Sequence, residues 1–137
     1  MRNVMTTLFL MVLAGTLYGA EEELQVKETP WCTLQAPKSV GRGEAARVRV
    51  TIKKDAIAED SVLYIDVHKF VGRQRKPGAG RAKPVRIKAG EAGEYGYTFR
   101  IPEDASAIAF VCYVIPRGKS GWKERSHSAS IGVRVKR

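Results

Sequence analysis

Two histidines, two cysteines and two tryptophans are all that this 137-residue chain holds, and no acidic residue interrupts the stretch from Lys69 to Lys88. Each scarcity excludes something. With His68 and His127 on separate segments and Asp66 the carboxylate nearest in sequence to His68, there is no metal-ligand spacing motif, and outward-facing surface residues account for all three. No glycine-rich loop follows a strand and opens a helix, so a phosphate cradle is missing. No segment after residue 20 has the apolar period of a helix. Ser126 and Ser128 flank His127, but neighbours on a strand point to opposite faces, so neither serine is expected to share a proton with that imidazole. The adjacent carboxylates Glu103 and Asp104 sit in a turn, where such residues are usual. The expectation is a chain without catalytic residues, cofactor or metal: not an enzyme.

What is present begins with an apolar leader. Arg2 supplies a minimal positive start, Val4 to Leu17 is almost wholly apolar, and Tyr18-Gly19-Ala20 precedes the acidic Glu21-Glu22-Glu23. This reads as a secretory signal peptide cut after Ala20, with an uncleaved anchor as the alternative; the run falls short of the ~20 residues that span a bilayer. Residues 1–20 are therefore expected to be signal, 21–29 a flexible acidic segment, and 30–137 one domain. The protein is expected to be secreted or periplasmic, with no membrane span once the signal is removed. Export bears on Cys32 and Cys112. In an oxidising compartment, and both in strand-like surroundings, they are expected to form a disulfide. Closing so long a loop contributes roughly 4 to 5 kcal/mol in the chain-entropy model.

The remaining chain alternates apolar and polar residues, the period of a half-buried antiparallel strand. Seven strands are predicted: Trp31 to Ala36, Ala46 to Lys54, Val62 to His68, a short one around Val85 and Ile87, Glu94 to Pro102, Ala107 to Pro116, and His127 to Lys136. In the second, Val48, Val50 and Ile52 face inward and Arg47, Arg49 and Thr51 outward. The sixth, AIAFVCYVIP, carries no charge and is expected to be buried on both faces. Thirteen glycines and six prolines punctuate the turns. The fold class that follows is all-β: a seven-stranded antiparallel immunoglobulin-like sandwich.

The order VLYIDVHK, GAGRAKPVRI, YTFRIPEDA and FVCYVIPRGKSGWKERSHSASIGVRV, spanning Val62 to Val135, resembles the immunoglobulin-like or fibronectin-III-like accessory modules of secreted bacterial proteins. Some such modules are attached to polysaccharide-degrading enzymes. That resemblance implies a sandwich and a glycan-facing habit, and brings no catalytic residue with it.

Two surfaces stand out as candidate binding sites. Arg73, Arg75, Lys76, Arg81 and Lys83 lie in a long segment, Phe70 to Lys83, read as a basic loop. An exported cationic loop suits carboxylate, sulfate or phosphate groups, which an arginine fork pairs bidentately, although a solvated loop has the same composition. The second candidate is Trp122 in the loop Arg117 to Ser126, with Lys119, Lys123 and Arg125 around it. An aromatic plane beside cations can stack on a sugar ring; it can equally cover the end of the core. In a standard sandwich these two loops leave from opposite ends, so one continuous site is not expected. Trp31 is expected to pack beside the disulfide.

The functional expectation is a non-catalytic binding module for an anionic polysaccharide or another envelope polymer, nucleic acid not being expected in that compartment. The alternative is a structural component of an envelope assembly, in which the segment Glu21 to Lys27 pairs with the sheet edge of another envelope protein.

Overall fold

A computed structural model describes residues 23–136; the expected leader, 1–20, lies outside them. The chain is all-β, in two sheets packed face to face. One sheet has four strands in the order β1 (Leu24–Glu28), β2 (Cys32–Pro37), β4 (Ala45–Ile52) and β8 (Gly93–Arg100). The other has six: β3 (Ser39–Gly41), β10 (His127–Lys136), β9 (Ala107–Pro116), β5 (Ser61–Val71) and β6 (Gln74–Arg81) in order, with β7 (Val85–Ile87) also paired to β5. All pairings are antiparallel except β3 with β10.

The alternation seen in the sequence builds the core. Leu34 from β2, Val48, Val50 and Ile52 from β4, Leu63, Ile65 and Val67 from β5, Ile108 and Phe110 from β9, and Val133 from β10 are at most a few per cent exposed. Each takes every second position of its strand, the register that puts a whole side-chain set on one face.

Ten strands stand among the described residues where seven are predicted, and the three extra ones share a cause. β1, β3 and β6 bury little of their own and are held by backbone pairing, so hydrophobic period cannot reveal them. The segment read as flexible, 21–29, contains β1, paired residue for residue with β2 from Leu24↔Pro37 to Glu28↔Thr33. The segment read as a loop, Phe70 to Lys83, is the end of β5, a turn with Gly72 at φ 61°, and β6 running back along β5. Its glycines have a packing reason. A Cβ at Gly80 would come within 2.7 Å of the Phe99 ring, so a side chain there would push β6 off the open edge of the sandwich.

The expected disulfide is not formed. Cys32 on β2 and Cys112 on β9 both face the interior, fully buried, as free thiols. Sγ of Cys32 lies 3.4 Å from Oγ1 of Thr29, whose hydroxyl also accepts the Cys32 backbone N–H at 3.0 Å. An oxidising compartment permits a disulfide but does not make one, because pairing also needs the two sulfurs at bonding distance and angle. Burial first, then the neighbouring Cys32 and Asp66, pushes the Cys112 thiol well above its ordinary range, which keeps it protonated and inert. Adding a reductant should therefore leave the melting temperature unchanged, and a thiol-specific chromophore should react with Cys112 only after unfolding. A melting point that falls on reduction would restore the bridge.

Candidate binding groove

The six-stranded sheet turns its outer face away from the core, and the middle of that face, on β9, is not polar. On β9 the outward set is Val111, Tyr113 and Ile115, each less than a tenth exposed, clustered with Tyr64 of β5. Cross-strand register sets the rows: Tyr64, Tyr113 and Ser128 lie side by side, as do Asp66, Val111 and Ser130. Tyr64 and Tyr113 are stacked at 5.2 Å between centroids and 13° between planes. The chain after β9 folds back through a short 3-10 turn (Trp122–Glu124) and sets Trp122 at 80° to Tyr113, 4.9 Å away. The result is a groove of about 770 Å³ with an apolar and aromatic floor.

Charged groups form its walls. Arg81 of β6 lies opposite Asp66 and donates to both carboxylate oxygens, at 2.7 and 3.1 Å. A further Nη2–H of Arg81 reaches the Tyr113 hydroxyl at 3.1 Å, and that hydroxyl donates to Asp66 at 2.9 Å. The guanidinium also lies 5.4 Å over the Tyr64 ring. Burial first, then the hydrogen bond to Asp66, pushes the Tyr113 phenol up to about 12. The Arg81 guanidinium is held still more firmly in its charged form by Asp66.

Arg75 is placed differently. Its Nε–H donates to Nδ1 of His68 at 2.8 Å, and its guanidinium rests over the Phe70 ring at 5.6 Å. Burial, then the Arg75 charge, lowers the His68 imidazole from its ordinary value, so it is neutral and accepts that hydrogen bond. From β1, Lys27 reaches across the open side of the sandwich to the Ser130 carbonyl at 2.8 Å. Among the described residues neither Arg75 nor Lys27 is in an ion pair, whereas Arg81 is. The groove therefore carries surplus positive charge over an aromatic floor.

Of the two sets of residues singled out from the sequence, Arg75, Arg81 and Trp122 line this one groove. The expectation that the two basic segments lie apart at opposite ends fails, because β6 folds back along β5 and the Trp122 turn folds onto β9. Arg73 sits in the β5–β6 turn, Lys76 faces Lys69 across the hairpin, and Lys83 is exposed beyond β6; none of them lines the groove. Nor do Lys119 and Lys123. Arg125 serves Trp122 instead, stacking 3.9 Å from its ring and donating to its carbonyl at 2.9 Å.

Tyr64, Tyr113, Val111, Asp66 and Lys27 are the participants that sequence reasoning missed. The signal was in AIAFVCYVIP, whose outward positions lack the polar residues that the other strands place there. Trp31 proves to be a buried cap, its Nε1–H donating to the Ser128 carbonyl at 3.3 Å, with its ring 5.7 Å from His127. Ser126 and His127, expected to point apart, are in contact: Oγ lies 2.8 Å from Nδ1, because Ser126 precedes the regular part of β10 and its side chain is free to turn. The described residues contain no group of three potential metal ligands and no helix long and apolar enough to cross a membrane.

No family model matches this chain, and no curated protein matches it. Several solved structures are similar to it at low identity. A superoxide reductase (neelaredoxin) from Ignicoccus hospitalis is 17% identical with a TM-score of 0.44, covering 82% of this chain and 80% of its own. A CARDB domain from Pyrococcus furiosus, solved with two metal ions, is 15% identical with a TM-score of 0.49, over 84% and 89%. Spo0M, a sporulation control protein from Bacillus subtilis, is 18% identical with a TM-score of 0.44, over 84% of this chain and 48% of its own. The expectation that it is not an enzyme is corrected here: an enzyme is among the structures that match, so the lack of a sequence motif does not decide the matter.

Proposed function

We propose that this protein is a binding module whose groove on the outer face of the six-stranded sheet takes an acidic carbohydrate. The observation that carries the reading is the combination of an aromatic floor, Tyr64, Tyr113 and Trp122, with cations that no carboxylate among the described residues neutralises, Arg75 and Lys27. A sugar ring offers a C–H face to the aromatics, and a uronate or sulfate offers two oxygens to an arginine fork. Serine hydroxyls at 128 and 130 supply the mixed donors and acceptors that sugar hydroxyls need. Such polymers lie outside the cytoplasm, in agreement with the export expected from residues 1–20.

Edge-strand assembly through residues 21–27 has less in its favour. β1 pairs with β2 along one of its edges, and three carbonyls on the free edge of β10 are capped by side chains: Ser128 by Trp31, Ser130 by Lys27, and Gly132 by Gln25.

Titration calorimetry with oligogalacturonate should show binding that weakens with added salt, with neutral dextran of similar length as the control. Trp122→Ala and Arg75→Ala should each lower affinity about tenfold or more, with little change in folding. Equal affinity for the neutral and acidic polymers, or variants that bind as the parent does, would overturn the reading.

A further inference from the structure

We infer that the ligand is an extended acidic polysaccharide that continues from the aromatic groove along β10 into a second, basic seat at Arg134 and Lys136; this rests on the proposed reading of the groove. The second seat is a depression of about 580 Å³ lined by Gln25, Lys38, Ser39, Gly132, Arg134 and Lys136, together with Glu23. Its character differs from the first, with no aromatic residue among its walls. Lys38 is paired with Glu23 at 3.1 Å, but among the described residues Arg134 and Lys136 are in no ion pair.

The two depressions share one strand face. Side chains alternate along a strand, so the even positions of β10 all point outward: Ser128 and Ser130 line the first seat, Gly132, Arg134 and Lys136 the second. At roughly 3.3 Å per residue, positions 128 to 136 span about 26 Å. β1 walls the trough along its length, with Lys27 in the first seat and Gln25 in the second, both bonded to β10 carbonyls. The saddle between the seats is Gly132. An added Cβ there would meet only the Ile108 carbonyl oxygen, at an ordinary 3.8 Å, so the saddle is low because a side chain is missing and not because space is.

A linear anionic polymer fits this layout better than a compact anion, because surplus cations stand at both ends of a trough floored by hydroxyls and a glycine. A sugar chain is chosen over a nucleic acid because the export expected from residues 1–20 leads away from nucleic acid; hydroxyls such as those of Ser128 and Ser130 serve sugars and phosphates alike.

The test measures affinity for oligogalacturonates of increasing length. Affinity should climb until the oligomer spans about 26 Å and then level off. The double variant Arg134→Ala with Lys136→Ala should lower long-oligomer affinity roughly tenfold and leave the shortest binder unchanged. Gly132→Leu should do the same by raising the saddle, with an unchanged melting temperature as the folding control. Short and long oligomers binding equally, or a double variant that weakens both alike, would overturn the second seat while leaving the groove reading intact. A shortest oligomer that binds independently of Trp122 would overturn the groove reading, and this inference with it. Single-stranded DNA of equal length that displaces the oligogalacturonate would reassign the trough to nucleic acid and overturn the choice of ligand.

Discussion

Phe110→Ala is expected to lower the unfolding free energy by about 3 to 5 kcal/mol. Phe110 is the largest of the fully buried side chains, inward-facing at the middle of the sandwich. In its own sheet it lies between Val67 of β5 and Ile131 of β10, and across the interior it meets the Tyr97 ring of β8 edge-on at 6.5 Å. Truncation removes the transfer free energy of a ring and leaves a void that strands locked by cross-strand pairing cannot close. Against a typical stability of about 5 to 15 kcal/mol, that loss is a large share. Urea denaturation of parent and variant measures it from the shift in midpoint at constant slope. A loss below about 1 kcal/mol would mean that the two sheets are not packed on this residue.

The second large effect centres on Asp66. Asp66→Ala should cost about 1 to 3 kcal/mol, because the buried Tyr113 hydroxyl loses its acceptor and Arg81 loses its ion-pair partner. The exposed flank of Arg81 can rehydrate, so the greater part of the cost falls on Tyr113. The same network sets a pH dependence. The Tyr113 phenol is raised to about 12 in the folded chain from an ordinary value of 10. The folded state therefore holds this proton more tightly than the unfolded state. Its contribution is fully present below pH 10 and is lost as pH rises toward 12. Tyr113→Phe should abolish that alkaline loss, and Asp66→Ala should bring the phenol back toward its ordinary value, followed by ultraviolet absorbance of tyrosinate. An alkaline stability profile identical in parent and Tyr113→Phe would show that the phenol does not titrate with folding.

How much of this was legible beforehand depended on whether a residue's neighbours are local. The strict alternation in β4, ARVRVTI, shows its two faces in the sequence, since the pleat ties side-chain direction to position whatever the strand packs against. β6, QRKPGAGR, has no such alternation and owes its existence to backbone bonds with β5 across a bulge at Val67 to Lys69. Its pairing partner is set by the turn at Gly72 and by the room at Gly80. Neither can be read from apolar period. For the same reason Arg75 and Arg81 seemed remote from Trp122. Sequence distance measures loop length, while the return of β6 along β5 and of the Trp122 turn onto Tyr113 are contacts between elements far apart in the chain.

What the sequence determined by itself is the all-β class, the inward residues of the long strands, and the net positive charge of the chain, because each depends on local alternation or on composition. What only the tertiary structure decided is the state of Cys32 and Cys112, the ordering of β1 and β6, and the assembly of Tyr64, Tyr113, Trp122, Arg75 and Lys27 into one groove. These depend on which strands become neighbours, and that is settled by the packing of two sheets around a shared core.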